Sequence, residues 1–112
     1  MNEPLTWNDF EKIEMRVGTV LHAEPLVAAR KPAIKLRIDF GPLGIKQSSA
    51  QITTHYTPET LVGTQVIAVV NFPPKQIGKF MSECLVLGVY APDDSVILLR
   101  PDKPIANGQQ VG

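Results

Sequence analysis

Apolar and polar positions alternate with period two along much of this chain. The cleanest case is Ala33–Phe40, where Ile34, Leu36, Ile38 and Phe40 share one face and Lys35, Arg37 and Asp39 the other. That is the pattern of a half-buried strand. Met15–Glu24 alternates too, with Met15, Val17, Thr19 and Leu21 opposite Arg16, Gly18, Val20 and His22. A glycine inside a strand marks a bulge or sharp bend, so Gly18 is the expected site of one. Ile45–Ile52 (IKQSSAQI) reads as a polar strand whose small side chains leave room for an approaching partner. Val66–Val70 and Cys84–Leu87 are β-rich runs too short for helices, which predicts buried strands. Ser95–Leu99 is a last strand after the Pro92-Asp93-Asp94 turn, and Gly41–Gly44 is another turn.

Two short helices punctuate the strands. Thr6-Trp7-Asn8-Asp9 fits a capping pattern with Thr6 as N-cap, and it puts Trp7 and Phe10 on one side of a helix too short to stand alone. Thr57-Pro58-Glu59 gives an N-cap, a proline at the first helical position and an acid in the first turn, with Gly63 closing the helix. Five or six strands with a helix between the third and fourth predict an all-β fold. Its layout is the five-stranded Greek-key barrel of the OB-fold, which binds oligonucleotides or similar ligands on one face. Residues 1–14 are expected to form a capping and dimerisation helix, and 15–112 the barrel domain.

The stretch Val66–Gly88 organises the rest. Pro73 and Pro74 remove two backbone donors and fix two φ angles, so a ladder must stop there. From Asn71 to Ser82 the connector displays Asn71, Lys75, Lys79 and Ser82 and contains no acid. This is the make-up of a stiff binding loop on a β scaffold.

The totals narrow the class. With 112 residues, 44% apolar and 20% charged, the chain is one globular domain. No apolar run approaches the roughly 20 residues that span a bilayer, so membrane insertion is not expected. The acidic N-terminus lacks the apolar region of a signal peptide. A single cysteine, Cys84, excludes an internal disulfide framework and fits a reducing, cytoplasmic setting. Net charge is zero but unevenly spread, −3 over residues 1–24, +5 over 25–82 and −2 over 83–112. The proline-bounded loop Pro25–Pro32 contributes Arg30 and Lys31 to the basic middle.

Catalytic chemistry finds no support. His22 and His55 lie far apart in sequence and no cluster has metal-ligand spacing. Ser48-Ser49 lacks a nucleophile elbow, no phosphate or dinucleotide fingerprint occurs, and Cys84 reads as a small buried side chain. The chain is expected to be neither an enzyme nor a cofactor carrier. Two binding readings remain. For nucleic acid, Lys35, Arg37, Lys46, Lys75 and Lys79 would meet phosphates, while Ser48, Ser49, Gln51, Asn71 and Ser82 would donate to sugar or base. Stacking aromatics are few (Tyr56, Phe72 and Phe80), which favours shape-and-backbone recognition of structured RNA. For peptide, the IKQSSAQI strand and the stiff connector would form a groove with pockets from Phe72, Ile77, Phe80 and Met81, unless those side chains cap the barrel. The Trp7/Phe10 helix and the Val96–Leu99 run offer more apolar surface than a small barrel covers, which predicts a homodimer through Trp7, Phe10, Val96 and Leu98.

Met15-Arg16-Val17-Gly18, Lys35-Leu36-Arg37-Ile38-Asp39-Phe40-Gly41, Ile45–Ile52 and Val69–Ile77 with Ser82 following together resemble the tRNA-binding domain family. That OB-fold module also ends many bacterial methionyl-tRNA synthetases and occurs in the endothelial monocyte-activating polypeptide group. The resemblance covers nearly the whole chain. IKQSSAQI and SECLVLG look most like the stand-alone CsaA-type proteins, described as export-related chaperones. The resemblance implies a homodimer that binds tRNA and unfolded or precursor polypeptides on a shared basic face. The other role it implies is a dedicated tRNA-binding factor acting in trans. By motif it carries Asn71, Lys75, Ser82 and the Lys46–Gln51 strand as ligand contacts. Many RNA-binding members have Gly-Met after the connector serine, where this chain has Glu83-Cys84.

Overall fold

The computed structural model describes residues 3–26 and 31–112. Arg30, expected on the loop after the first strand, lies outside the described residues. Helix α1 (Trp7–Glu11) begins where Thr6 Oγ1 accepts the Asp9 N–H at 3.1 Å, as the capping pattern predicts. The strands β1 (Met15–Pro25), β2 (Ile34–Asp39) and β3 (Ile45–Ala50) follow, with a 3-10 turn (Gly41–Leu43) between the last two. Helix α2 (Pro58–Leu61) then leads into β4 (Gln65–Val69), β5 (Lys75–Ile77), β6 (Phe80–Ser82), β7 (Leu85–Val86), β8 (Gly88–Tyr90) and β9 (Val96–Leu98).

The main sheet is antiparallel, in the order β3-β2-β1-β4-β7. Contacts of β3 with β6 and β7 curl it into a nearly closed barrel. With α2 between β3 and β4, this is the OB layout that the sequence pattern predicts. β1 holds it together by serving two neighbours. Met15–Thr19 pairs with β4, and Thr19–Pro25 pairs with β2.

The interior is filled by Val20, Ile34, Leu36, Ile38, Phe40, Leu61 and Val66. Burying side chains of this size contributes roughly 1.5–3 kcal/mol each. Gly18 differs from expectation. Register shifts between Val20 and His22, so the bulge sits at Leu21. Gly18 is instead a place of close approach, where a Cβ would lie 2.5 Å from Ile38 Cγ2 and 2.8 Å from the Phe40 ring. The bulge also changes the phase of β1. Ala23 packs against the core, while His22 and Glu24 turn outward.

The chain's last residues add to the open side of β1. Val17 N–H donates to Gln109 O at 3.0 Å, Gly108 N–H to Val17 O at 2.7 Å and Val111 N–H to Met15 O at 2.9 Å. Arg16 fastens this segment. Its guanidinium donates to Gly108 O at 3.0 Å and meets the Glu14 carboxylate at 2.8 Å. No helix among the described residues is long and apolar enough to cross a membrane.

Candidate functional site

The connector after Pro74 is a β-hairpin rather than an irregular loop. Lys75 pairs with Ser82, Gln76 with Met81 and Ile77 with Phe80 across the Gly78-Lys79 turn. Gly78 adopts a φ of 61°, which a two-residue hairpin turn requires at its first position and glycine supplies without strain. The Ile-Gly-Lys-Phe sequence carried this signal, although the prolines just before it read more strongly as a loop.

The hairpin leans on β3 and helps close the barrel, largely through side chains. Glu83 N–H donates to Gln47 O at 2.8 Å, and the Glu83 carboxylate accepts the Gln47 N–H at 3.0 Å. Ser48 Oγ donates to Cys84 O at 2.8 Å, and Ser82 Oγ approaches the same carbonyl at 3.3 Å. The acid that follows Ser82 is therefore a strut in the barrel wall. Between hairpin, β3 and β7 lies a groove of about 400 Å³. Ser49, Gln51, Lys75 and Ser82 supply its polar lining, and Phe72, Ile77 and Leu85 its apolar wall.

The expected binding residues separate into those this groove assembles and those used elsewhere. Ser49, Gln51, Lys75 and Ser82 come together. Lys79 is exposed at the hairpin turn, and Arg37 is exposed on the outer face of β2. Lys35 stands beside Ser49 in register, with its ammonium 3.4 Å from the Glu24 carboxylate and 5.4 Å from the Phe80 ring centroid. Three expected contacts are placed differently. Ser48 is 1% exposed, its hydroxyl bonded inside the barrel wall. Lys46 aligns with Ile38 across the β2–β3 ladder, on the opposite sheet face from Lys35 and Arg37. Strand alternation forces both outcomes, because even positions of β3 share the inward face of Leu36 and Ile38. Asn71 is occupied at both ends. Its Oδ1 accepts the Glu14 N–H at 3.0 Å and its Nδ2 donates to Lys12 O at 2.6 Å.

Of the aromatic candidates, Phe80 is buried. The Tyr56 hydroxyl accepts the Leu98 N–H at 2.9 Å, and Phe72 stands half-exposed in the groove. Of the expected dimer contacts, Leu98 belongs to the barrel core and Val96 packs against it. Trp7 is 82% exposed, and Phe10 beside it is partly covered. Leu5, Ile13 and Val111 extend that apolar surface.

The Cys84 thiol is not activated. Burial pushes the Cys84 thiol up to about 11, against the opposing pull of Ser48 and Lys46. His55, Ser95 and Asp93 touch, but in the wrong order for a triad. Ser95 Oγ donates to Asp93 Oδ1 at 2.5 Å while His55 Nε2 sits 2.7 Å from the same hydroxyl. That carboxylate also accepts the Ser95 N–H at 3.0 Å and thus caps the β8–β9 turn.

The fold and sequence have counterparts among known proteins. Residues 15–110 match the family described as "Putative tRNA binding domain". The methionine–tRNA ligase of Chlorobium chlorochromatii is 37% identical over 107 residues, which make up 96% of this chain and 15% of the ligase. The crystal structure of chaperone CsaA from Bacillus anthracis superposes with a TM-score of 0.94 at 51% identity, covering 98% of this chain and 100% of that one. The CsaA chaperone of Picrophilus torridus gives 0.91 at 48% identity, covering 97% and 100%.

Proposed function

From a chain that belongs to the tRNA-binding domain family, we propose a non-enzymatic binding protein, a chaperone of the CsaA type that holds unfolded or precursor polypeptides and also binds tRNA. It acts in the cytoplasm, in support of protein export, as a homodimer built through the N-terminal segment of residues 1–14. The observation that carries this reading is the groove beside the hairpin, where Phe72, Ile77 and Leu85 face Ser49, Gln51, Lys75 and Ser82. An apolar wall suits the side chains of an unfolded chain. The cations Lys75 and Lys79 of the hairpin, with Arg37 on the neighbouring sheet, suit phosphates. The likeness to two CsaA chaperones over their full length supports it.

A dedicated tRNA-binding factor acting in trans is the second reading. The match to a methionine–tRNA ligase, of which this chain spans about 15%, favours it.

Labelled total tRNA titrated over roughly 50–300 mM salt, with an unfolded peptide as competitor, tests both. Three phosphate contacts would lower affinity about a hundredfold over that range, because each releases counterions. Lys75→Ala should flatten the salt dependence by about one contact and weaken peptide binding far less. Displacement of tRNA by peptide supports the chaperone with a shared face. Salt-sensitive tRNA binding that no peptide disturbs favours the dedicated factor. Absence of tRNA binding at 50 mM salt overturns the RNA half of the proposal.

A further inference from the structure

We infer that the groove beside the hairpin receives a single unstacked nucleobase of the bound RNA, laid on Phe72. This rests on the tRNA-binding reading above and names the part of that ligand which enters the site.

The polar side chains around the hairpin fall into two sets. Those along the barrel wall are used. Gln47 Nε2 donates to Met81 O at 2.9 Å, Ser48 Oγ donates to Cys84 O at 2.8 Å, and the Glu83 carboxylate accepts the Gln47 N–H at 3.0 Å. Those lining the groove are open. The Ser49 hydroxyl, the Gln51 amide and the Lys75 ammonium have no hydrogen-bond or ion-pair partner among the described residues. The Ser82 hydroxyl is held only by long bonds, 3.3 Å to Cys84 O and 3.4 Å from the Ser49 N–H. No acid is among the lining residues, and Phe72, the one aromatic among them, is 54% exposed. Pro73 directly after it restricts its backbone, so the ring is presented from a stiff support.

An exposed ring on a stiff support is a stacking platform, because every base has a π-face. The open groups beside it mix donors with acceptors. The Gln51 amide carries both, and the Ser49 hydroxyl serves as either. A base edge presents the same mixture. An aliphatic side chain seated there would cover these groups and leave them unpaired, which costs free energy. Lys75 then offers its charge to the phosphate of the same nucleotide. One ring holds one base, which suits a structured RNA whose other contacts are to its backbone.

The probes are two RNA duplexes of one sequence, the first blunt and fully paired, the second carrying a single unpaired adenosine bulge. A base that is already unpaired costs little to take up, so the bulged duplex should bind about tenfold more tightly. That ratio should be the same at roughly 50 and 200 mM salt, since stacking releases no counterions. Phe72→Leu keeps an apolar side chain but loses the ring, and should bring the ratio below about threefold, whereas Phe72→Trp should keep it. A bulged duplex that binds no better than the blunt one, while total tRNA binds, overturns the base site and leaves tRNA binding standing. Failure of total tRNA to bind overturns both. A ratio that collapses with salt marks an added phosphate contact and overturns the base site. A ratio that survives Phe72→Leu also overturns it, and loss of peptide binding in that same variant assigns the groove to polypeptide alone.

Discussion

Individual residues at the site divide by whether their polar atoms are already used. Ser48 and Ser49 are neighbours of the same chemistry, yet one hydroxyl is buried against Cys84 O and the other residue lines the groove. Cys84 itself is held protonated by burial. Its folded pKa, about 11, lies above the ordinary value of 9.0, so the thiol contributes stability that is full below pH 9 and lost as pH rises toward 11. At about 1.4 kcal/mol per unit, the loss is on the order of 3 kcal/mol. Denaturant midpoints from pH 8 to 11 should fall more steeply for the native chain than for Cys84→Ala. Parallel slopes would mean that the thiol is not desolvated.

At the scale of elements, Asn71 is a latch between the end of β4 and the segment after α1. Its two hydrogen bonds, with the 2.9 Å bond from Val70 N–H to Glu14 O, hold the N-terminal segment against the barrel beside the groove. Asn71→Ala should cost about 1 kcal/mol of stability, since the site is exposed and water replaces part of what is lost. It should also speed exchange of the Glu14 amide. An unchanged Glu14 amide would show that the latch carries no load. The hairpin explains why the connector is stiff. Its two strands pair with each other, and the Gln47 amide donates to Met81 O at 2.9 Å.

For the whole molecule, the apolar surface left uncovered is the decisive feature. Trp7, on a helix with no buried residue, is 82% exposed and Leu5 just before that helix 67%, and the β8–β9 hairpin leaves Val89 and Tyr90 exposed at 55% and 79%. A five-residue helix with no buried residue gains little stability by itself, and this is the surface that the proposed dimer would cover. Trp7→Glu should convert a sedimenting dimer into a monomer at micromolar concentration while leaving the barrel's circular dichroism unchanged. A native chain that sediments as a monomer would remove the dimer from the proposal.

Period-two alternation, turn residues and caps by themselves determined most strands of the barrel and the starts of its helices. Ile34 through Phe40 could bury one face only, Thr6 and Pro58 could only start helices, and Pro73-Pro74 could only end a strand. These are local constraints, written within a few residues. What the tertiary structure decided depended on neighbours distant in the chain. Gly18 is small because Ile38 and Phe40 press on it, and the bulge fell at Leu21. Ser48 and Lys46 turned inward because pairing with Leu36 and Ile38 sets the phase of β3. Asn71 was taken up by Glu14 and Lys12, far from it in sequence. Spacing alone reports which residues can share a face. Whether a polar atom on that face is already bonded is settled only when the other strands arrive.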